Sequence, residues 1–446
     1  MDADVIVVGS GASGLSAGLS AAVGGADVLV LERTDRLGGT TTYSGGAMWI
    51  PDNPLMRAAG MPDSRDEVIT YLRRLTAGMV APEMVEAFVD TCNPMVRFFE
   101  EHAGLEMACR YEHADYQPLF DGAKAGGRCV ENDHIVYESE LGDFNGRIRK
   151  TLSMIATTFH ANLMTSAELN RYQQTGIPPD PAVISKRVAE GALMRGRGLV
   201  GNLLKALLER GMAVQAESPA VRLLLDGDRV VGVEAEHAGH REVHRARLGV
   251  VIASGGFEWN QQLVRGFLGV PELTPASPPT NLGLGIHLAT GAGAMLGNMS
   301  NAWWDVIMAI PGEELDGKPF YRTSTTLRGR AGTIMVNRHS KRFVNESMNY
   351  ADLAQIMKWF DPVAYEYPNM PCTLIFDRGV RERFAVGDLM PTDPDPDWLT
   401  KAGTIAELAE LTGLDPDVLE AEVERFNHNA GLGQDPDFHR GEDPFD

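Results

Sequence analysis

Near the amino terminus, Gly9-Ser10-Gly11-Ala12-Ser13-Gly14 has the spacing G-x-G-x-x-G and follows directly on the apolar run Val5 to Val8. This pattern binds phosphate through backbone alone: the first glycine permits a tight turn, the second lets a phosphate approach, and the third lets the next helix pack on the strand. The small-residue run through Val23 opens that helix, and its leading N–H groups, at the positive end of the helix dipole, suit a pyrophosphate. A second apolar strand, Leu29 to Leu31, ends in Glu32 and Arg33. The Glu32 carboxylate falls where two hydrogen bonds would grip a ribose diol. Strand, helix, second strand and acid are in register, so the stretch reads as a dinucleotide-binding βαβ unit. A run of small and hydroxyl residues follows, Gly38-Gly39-Thr40-Thr41-Thr42-Tyr43-Ser44-Gly45-Gly46. Such a loop suits a cofactor that extends past its pyrophosphate into a second aromatic ring.

From Glu32 to Gly46 the chain resembles the flavoprotein-subunit superfamily of fumarate reductases and 3-ketosteroid dehydrogenases. The resemblance implies FAD, contacted by Gly9 to Gly14, Glu32, Arg33, Gly39, Thr40, Thr41, Ser44, Gly45 and Gly46. Two later stretches carry it further. Ala253-Ser254-Gly255-Gly256-Phe257, after the apolar run from Leu248, is similar to the superfamily's returning Ala-Thr/Ser-Gly-Gly-Phe element and implies that Ala253, Ser254 and Gly255 lie against the cofactor. A backbone group near Val221 would meet the adenine. An NAD-linked dehydrogenase would leave the Gly38 to Gly46 loop and the Ala253 return without a purpose. At Gly283-Leu284-Gly285 the superfamily commonly has Gly-Asp-Gly, so Leu284 departs from it.

The catalytic expectation rests on Gly332 to Asn337 followed by Lys341-Arg342-Phe343-Val344-Asn345-Glu346-Ser347-Met348-Asn349-Tyr350. This segment resembles the superfamily's Arg-Phe-x-Asn-Glu element, a strand-turn-strand presenting a residue to the flavin face. Four residues after the Glu, fumarate reductases carry a proton-donating Arg and ketosteroid dehydrogenases a Tyr; here it is Tyr350. The resemblance thus implies dehydrogenation of a 3-ketosteroid-like ring, Δ1 or Δ4, with Tyr350 as base for the proton alpha to the ketone and flavin N5 accepting the neighbouring hydride. A phenol of ordinary pKa near ~10 is ionised in about one molecule in a thousand at neutral pH, a burden of roughly 4 kcal/mol. A second hydroxyl donating to it reduces that burden. Asp115-Tyr116-Gln117, with Phe120 and the later Gly126-Gly127-Arg128 and Glu131, resembles a ketosteroid-dehydrogenase segment with two consecutive tyrosines. Gln117 stands in place of the second, and the assisting role is given to Tyr116.

Trp303, Trp304 and Met308, with Phe120, would offer flat apolar surface to a polycyclic ketone. Burying ~300 Å² yields on the order of 7 kcal/mol before association costs, so no charged anchor is required. Reduced cofactor would pass its electrons to an external acceptor. Two other classes stay open: a fumarate-type reductase, with Arg328 and Arg330 clamping a dicarboxylate, and a non-catalytic FAD-binding protein.

The elements that must position these residues follow from patterning. With 446 residues the chain exceeds what one core usually fills. The expected fold is α/β: a Rossmann-type FAD-binding domain over 1–276 and an inserted α+β substrate (capping) domain over 277–438. Residues 439–446 would begin a return segment whose remainder, the superfamily's Ala-Gly-rich strand and flavin-packing glycine loop, is absent from this sequence. Helical spacing marks Glu67 to Leu75, Pro82 to His102, Leu199 to Arg210 and two pieces between Thr404 and Asn429. Asp226-Gly227 turns a hairpin between Ala220 to Leu225 and Val230 to Ala235. Pro271, Pro275, Pro278 and Pro279 punctuate a linker, Ile148 to Met164 is apolar and Met-rich, and Arg187, Arg195 and Arg197 read as a solvated helical face. Lys plus Arg total 40 against 61 Asp plus Glu, a net charge of -21, which argues against nucleic acid and anionic membranes as partners. No apolar run reaches membrane-spanning length and no signal peptide is evident, so a cytoplasmic location is expected. Cys92, Cys109, Cys129 and Cys372 lack metal-ligand spacing and read as reduced thiols, with no metal implied.

Overall fold

The computed structural model describes residues 2–150, 163–175, 177–270, 273–315, 317–387 and 389–446. Pro271 of the linker and most of the Ile148 to Met164 stretch lie outside them. The chain forms two units, Met1–Glu112 with Gly126–Asn301, and His113–Ala125 with Ala302–Asp446. Helix Leu284–Gly291 belongs to the first, with Leu288 in a core with Ile6, Val8, Leu29 and Leu31.

The first unit is built on a six-stranded sheet in the order Ala213–Gln215, Val28–Leu31, Asp2–Val8, His240–Ile252, Arg229–His237, Ala220–Asp226. The first four run parallel, with Val5 to Val8 opposite Val28 to Leu31 on one side and Gly249 to Ile252 on the other. The last three form an antiparallel meander, including the hairpin turned at Gly227. Alternation along the strands explains why their apolar runs are unbroken. Val7, Val28 and Val30 pack with Leu15 and Leu19 of helix Ala12–Val23 and with Leu203, Leu204 and Leu207 of helix Arg195–Glu209. Ile6, Val8, Leu29 and Leu31 face the opposite layer. A sheet covered on both faces has no polar side, and each fully buried aliphatic contributes about 1.5–3 kcal/mol.

Two expectations are corrected here. The helix read from Leu199 begins at Arg195, and the arginines at its start are not a solvated face: Arg195 and Arg197 are 7% and 3% exposed. Arg195 makes a bidentate pair with Glu131 at 2.7 and 3.1 Å, and Arg197 reaches Glu138 at 2.8 Å. Arg187, half-buried, pairs with Glu168 at 2.6 Å. A buried guanidinium requires such a partner, but Glu131 lies 64 residues from Arg195, beyond any local pattern.

The second unit holds the hairpin Ile307–Leu315 with Lys318–Thr323 and the antiparallel pair Thr333–Val336 with Thr373–Phe376. Helices Ile405–Thr412 and Pro416–Gly431, with Gly413 closing the first, pack Ala409, Leu414 and Leu419 on Ile334 and Val336. The expected strand-turn-strand through Arg342 is reduced to one bridge, Val336 to Arg342. Arg342 turns inward instead, held by Glu346 at 2.8 Å and Asp435 at 2.9 Å, with Arg440 on Glu346 at 3.2 Å. Among the described residues no helix is long and apolar enough to cross a membrane, and no group of three or more His, Cys, Asp or Glu is placed to hold a metal ion.

Candidate functional site

In the first unit, three loops meet at the carboxyl ends of the parallel strands. The turn after Asp2–Val8 needs its glycines for the chain's own packing. Gly9 has φ +110°, and a Cβ there would sit 2.3 Å from the Ala253 carbonyl oxygen; one on Gly14 would sit 2.0 Å from the Gly9 carbonyl oxygen. Gly11 differs. Its φ is -70°, and a Cβ would meet nothing closer than Thr41 Oγ1 at 3.7 Å. Open backbone at this position is what a phosphate would require. Helix Ala12–Val23 also starts with no side-chain cap and no acid in its first turn, so its leading N–H groups favour an anionic acceptor.

The second loop forms a short turn, Gly39–Tyr43, tied to the first by Ala12 N–H donating to Thr41 Oγ1 at 3.1 Å and Gly38 N–H donating to Ser10 Oγ at 3.0 Å. Gly46, packed on Gly196, and Gly45, beside the Arg195 guanidinium, continue it. Glu32, buried at the end of its strand, accepts from Ser10 Oγ at 2.6 Å and from Thr34 N–H at 3.0 Å. The single Thr34 hydroxyl proton is taken by Arg36 O at 2.7 Å. Ser10 N–H also donates to Glu32 at 3.3 Å, so of the about four lone-pair sites of a carboxylate most are engaged within the chain and about one is left for a ribose hydroxyl. Ser218 N–H donates to Glu32 O at 2.7 Å, three residues before Val221, itself 36% exposed. Arg33 Nη1 donates to Thr280 O at 2.8 Å.

The third loop, Ala253 to Gly256, has a buried Ser254 hydroxyl with no partner among the described residues. Asn281, not singled out from sequence, joins the loops: its Nδ2 donates to Thr40 Oγ1 at 2.9 Å and to Glu258 Oε1 at 2.7 Å, and its Oδ1 lies beside Gly255. Asn281 lies two residues before Gly283-Leu284-Gly285, the part of this run that bears on the resemblance. Open backbone at Gly11, a helix start with no acid in its first turn and the unpartnered Ser254 hydroxyl fit FAD.

In the second unit the two expected tyrosines come together. Tyr116 Oη donates to Tyr350 Oη at 2.9 Å, with ring centroids 5.3 Å apart and planes at 74°. Tyr350 is the first residue of helix Tyr350–Met357, whose N-cap Asn349 accepts from Asp352 N–H at 3.0 Å. Tyr116 is further flanked edge-on by Phe445 at 5.5 Å and His113 at 6.2 Å. Asn349 and Asp352 were not among the sequence candidates, although an Asn just before an apolar-periodic run is a helix-start signal.

The residues expected to line a substrate pocket differ in exposure. Trp304 is buried under the Lys358 ammonium, 4.2 Å from the ring centroid, whereas Trp303 is 90% exposed. Met308 packs with Leu327, Val380 and Val386, and Phe120 is half-buried. Of the two arginines that would clamp a dicarboxylate, Arg328 is 1% exposed with Nη1 donating to Glu346 O, and Arg330 lies over the Phe384 ring at 4.4 Å. Burial pushes the thiols of Cys92, Cys109, Cys129 and Cys372 up to about 11, so none is a thiolate nucleophile at neutral pH.

The family described as "FAD binding domain" matches residues 4–446. The chain is 37% identical to the 4-oxocyclohexanecarboxylate 2-dehydrogenase of Sinomonas cyclohexanicum, covering 99% of this chain and 76% of that relative. It is 33% identical to the 3-oxosteroid 1-dehydrogenase of Mycobacterium tuberculosis (strain ATCC 25618 / H37Rv), covering 99% and 81%. The crystal structure of the 3-ketosteroid delta1-dehydrogenase from Sterolibacterium denitrificans in complex with 1,4-androstadiene-3,17-dione superposes with a TM-score of 0.90 at 31% identity, covering 100% of this chain and 82% of that one. The α/β FAD-binding fold read from the glycine motifs is therefore the right one, and the chain belongs to the FAD binding domain family as an FAD-dependent oxidoreductase acting on CH–CH groups.

Proposed function

We propose that this protein dehydrogenates the carbon–carbon bond next to a ring ketone, with a 3-ketosteroid-like molecule as substrate, Tyr350 as catalytic base and Tyr116 as its hydrogen-bonding partner. The observation that carries the reading is the 2.9 Å contact between the two hydroxyls. Bound FAD supplies the acceptor for the hydride leaving the neighbouring carbon. Tyr350 takes the proton alpha to the ketone. It does so as the phenolate, whose charge that proton neutralises, and the Tyr116 hydroxyl donates to the same oxygen, favouring the ionised form beforehand. Gly9 to Gly14, Glu32, Arg33, Gly39 to Thr41, Ser44 to Gly46, Val221 and Ala253 to Gly255 would hold the cofactor. Phe120, Trp303, Trp304 and Met308 are proposed to contact an apolar substrate, and an external acceptor would reoxidise the flavin.

A second reading concerns substrate size. The relative named for 4-oxocyclohexanecarboxylate supports a single-ring ketone carrying a carboxylate, and the same proton abstraction would serve it. Anaerobic mixing of the FAD-loaded protein with 4-androstene-3,17-dione and, separately, with 4-oxocyclohexanecarboxylate distinguishes the two by which one bleaches the flavin absorbance. Y350F is expected to keep the flavin spectrum and lose turnover by about a thousandfold or more. Wild-type turnover in that variant would remove Tyr350 as base.

A further inference from the structure

Each phenol of the pair adjoins an amide side chain, and the two amides converge on one carboxylate oxygen. Asp352 Oδ2 accepts from Gln117 Nε2, next to Tyr116 in sequence, and from Asn349 Nδ2 at 2.5 Å, next to Tyr350. Asn349 Nδ2 also donates to the Tyr116 carbonyl oxygen at 3.0 Å, while its Oδ1 caps the Asp352 N–H at 3.0 Å. Asn349 is 2% exposed, so these bonds are largely shielded from water. The segment bearing Tyr116 and the helix turn bearing Tyr350 lie 234 residues apart in sequence. The carboxylate binds both, from the third position of the helix that Tyr350 opens. An acid there is also favoured by the helix dipole. Gln117 occupies the place where the resembling segment carries a second tyrosine, which makes this link a property of the present chain.

We infer that Asp352 is a positioning residue: through Gln117 and Asn349 it holds the Tyr116 segment on the first turn of helix Tyr350–Met357 and so keeps the two hydroxyls in hydrogen-bond register. This rests on the reading of Tyr350 as base. A carboxylate oxygen gathering two amide donors makes charge-assisted bonds, stronger than their neutral equivalents. Losing it frees the Tyr116 segment to move by the ångström or so that separates a productive from an unproductive hydroxyl. An Asn at this position keeps one oxygen able to accept from both amides.

The test uses the full chain loaded with FAD and whichever ring ketone bleaches it. D352A is expected to lower kcat about 10- to 100-fold while KM moves less than about threefold. D352N is expected to retain at least about a third of wild-type kcat. The discriminating measurement is a cycle with Y116F. If Asp352 acts through Tyr116, the D352A/Y116F double variant is no slower than the slower single variant; if it contributes only general stability, the two losses multiply. Multiplying losses, or wild-type kcat in D352A, would overturn the inference. Should D352A fail to bind FAD, Q117A, which leaves the helix cap intact, takes its place in the same cycle with the same expectations. Failure of the base itself is read separately, from wild-type turnover in Y350F.

Discussion

Burial pushes the Asp305 carboxyl up from 3.8 to about 6, and its Oδ1 has no hydrogen-bond partner among the described residues. In the folded protein this group therefore holds its proton more tightly than in the unfolded chain. The stability it contributes is fully present below pH 3.8 and is lost as pH rises through about 6. The loss is about 3 kcal/mol at 1.36 kcal/mol per pKa unit. D305N, neutral at every pH, should raise the urea midpoint at pH 8 more than at pH 5; an equal shift at both would show that ionisation is not the cause. The residues legible from sequence were those whose chemistry is tied to neighbours a few positions away: Gly9 and Gly14 were named from local spacing, and Tyr350 from the resemblance of the segment around it. Asp352 and Asn281 were not, because each matters through a partner more than 200 residues distant, Gln117 and Thr40 respectively.

At the scale of elements, the strand–turn–helix at Asp2–Val8 and Ala12–Val23 separates two demands on glycine that sequence alone presents as one motif. Gly9 is required by its positive φ and by the Ala253 carbonyl, whereas Gly11 lies in ordinary backbone with room for a methyl group. G9A should destabilise the apoprotein by about 2 kcal/mol or more. G11A should leave apoprotein melting unchanged yet weaken FAD binding by about tenfold or more, a loss of at least ~1.4 kcal/mol. Equal affinity in G11A, by fluorescence titration with FAD, would mean that no phosphate lies against that residue. The parallel strands and their helices could be read in advance because a sheet covered on both faces leaves uninterrupted apolar runs. The start of helix Arg195–Glu209 could not, because its first residues carry charges that look solvated until Glu131 and Glu138 are placed beside them.

For the whole molecule, FAD binding is expected to act on the first unit, where Gly9 to Gly14, Gly38 to Ser44 and Ala253 to Gly256 converge. Adding the cofactor to apoprotein at a thousandfold excess over Kd should stabilise it by about 4 kcal/mol through mass action. Hydrogen exchange should slow at those three loops; protection absent from all three would place the cofactor elsewhere. The course of the chain between the two units is not legible in the sequence. The pattern between 109 and 136 is irregular, and nothing local shows that His113–Ala125 joins the second unit while the chain on either side of it belongs to the first.

That excursion has a consequence for biogenesis. Tyr116 leaves the ribosome long before its hydroxyl partner exists, since 234 residues separate the two. At a translation speed of about 5–20 residues per second the nascent segment waits roughly 10–50 s for Tyr350 to emerge. Throughout that interval it is tethered at both ends to a unit that can already begin to fold, while the surface it will dock on has yet to be made. Assembly of the phenol pair is accordingly a late event, and slowing elongation between codons 302 and 350 would delay activity without delaying the first unit's collapse.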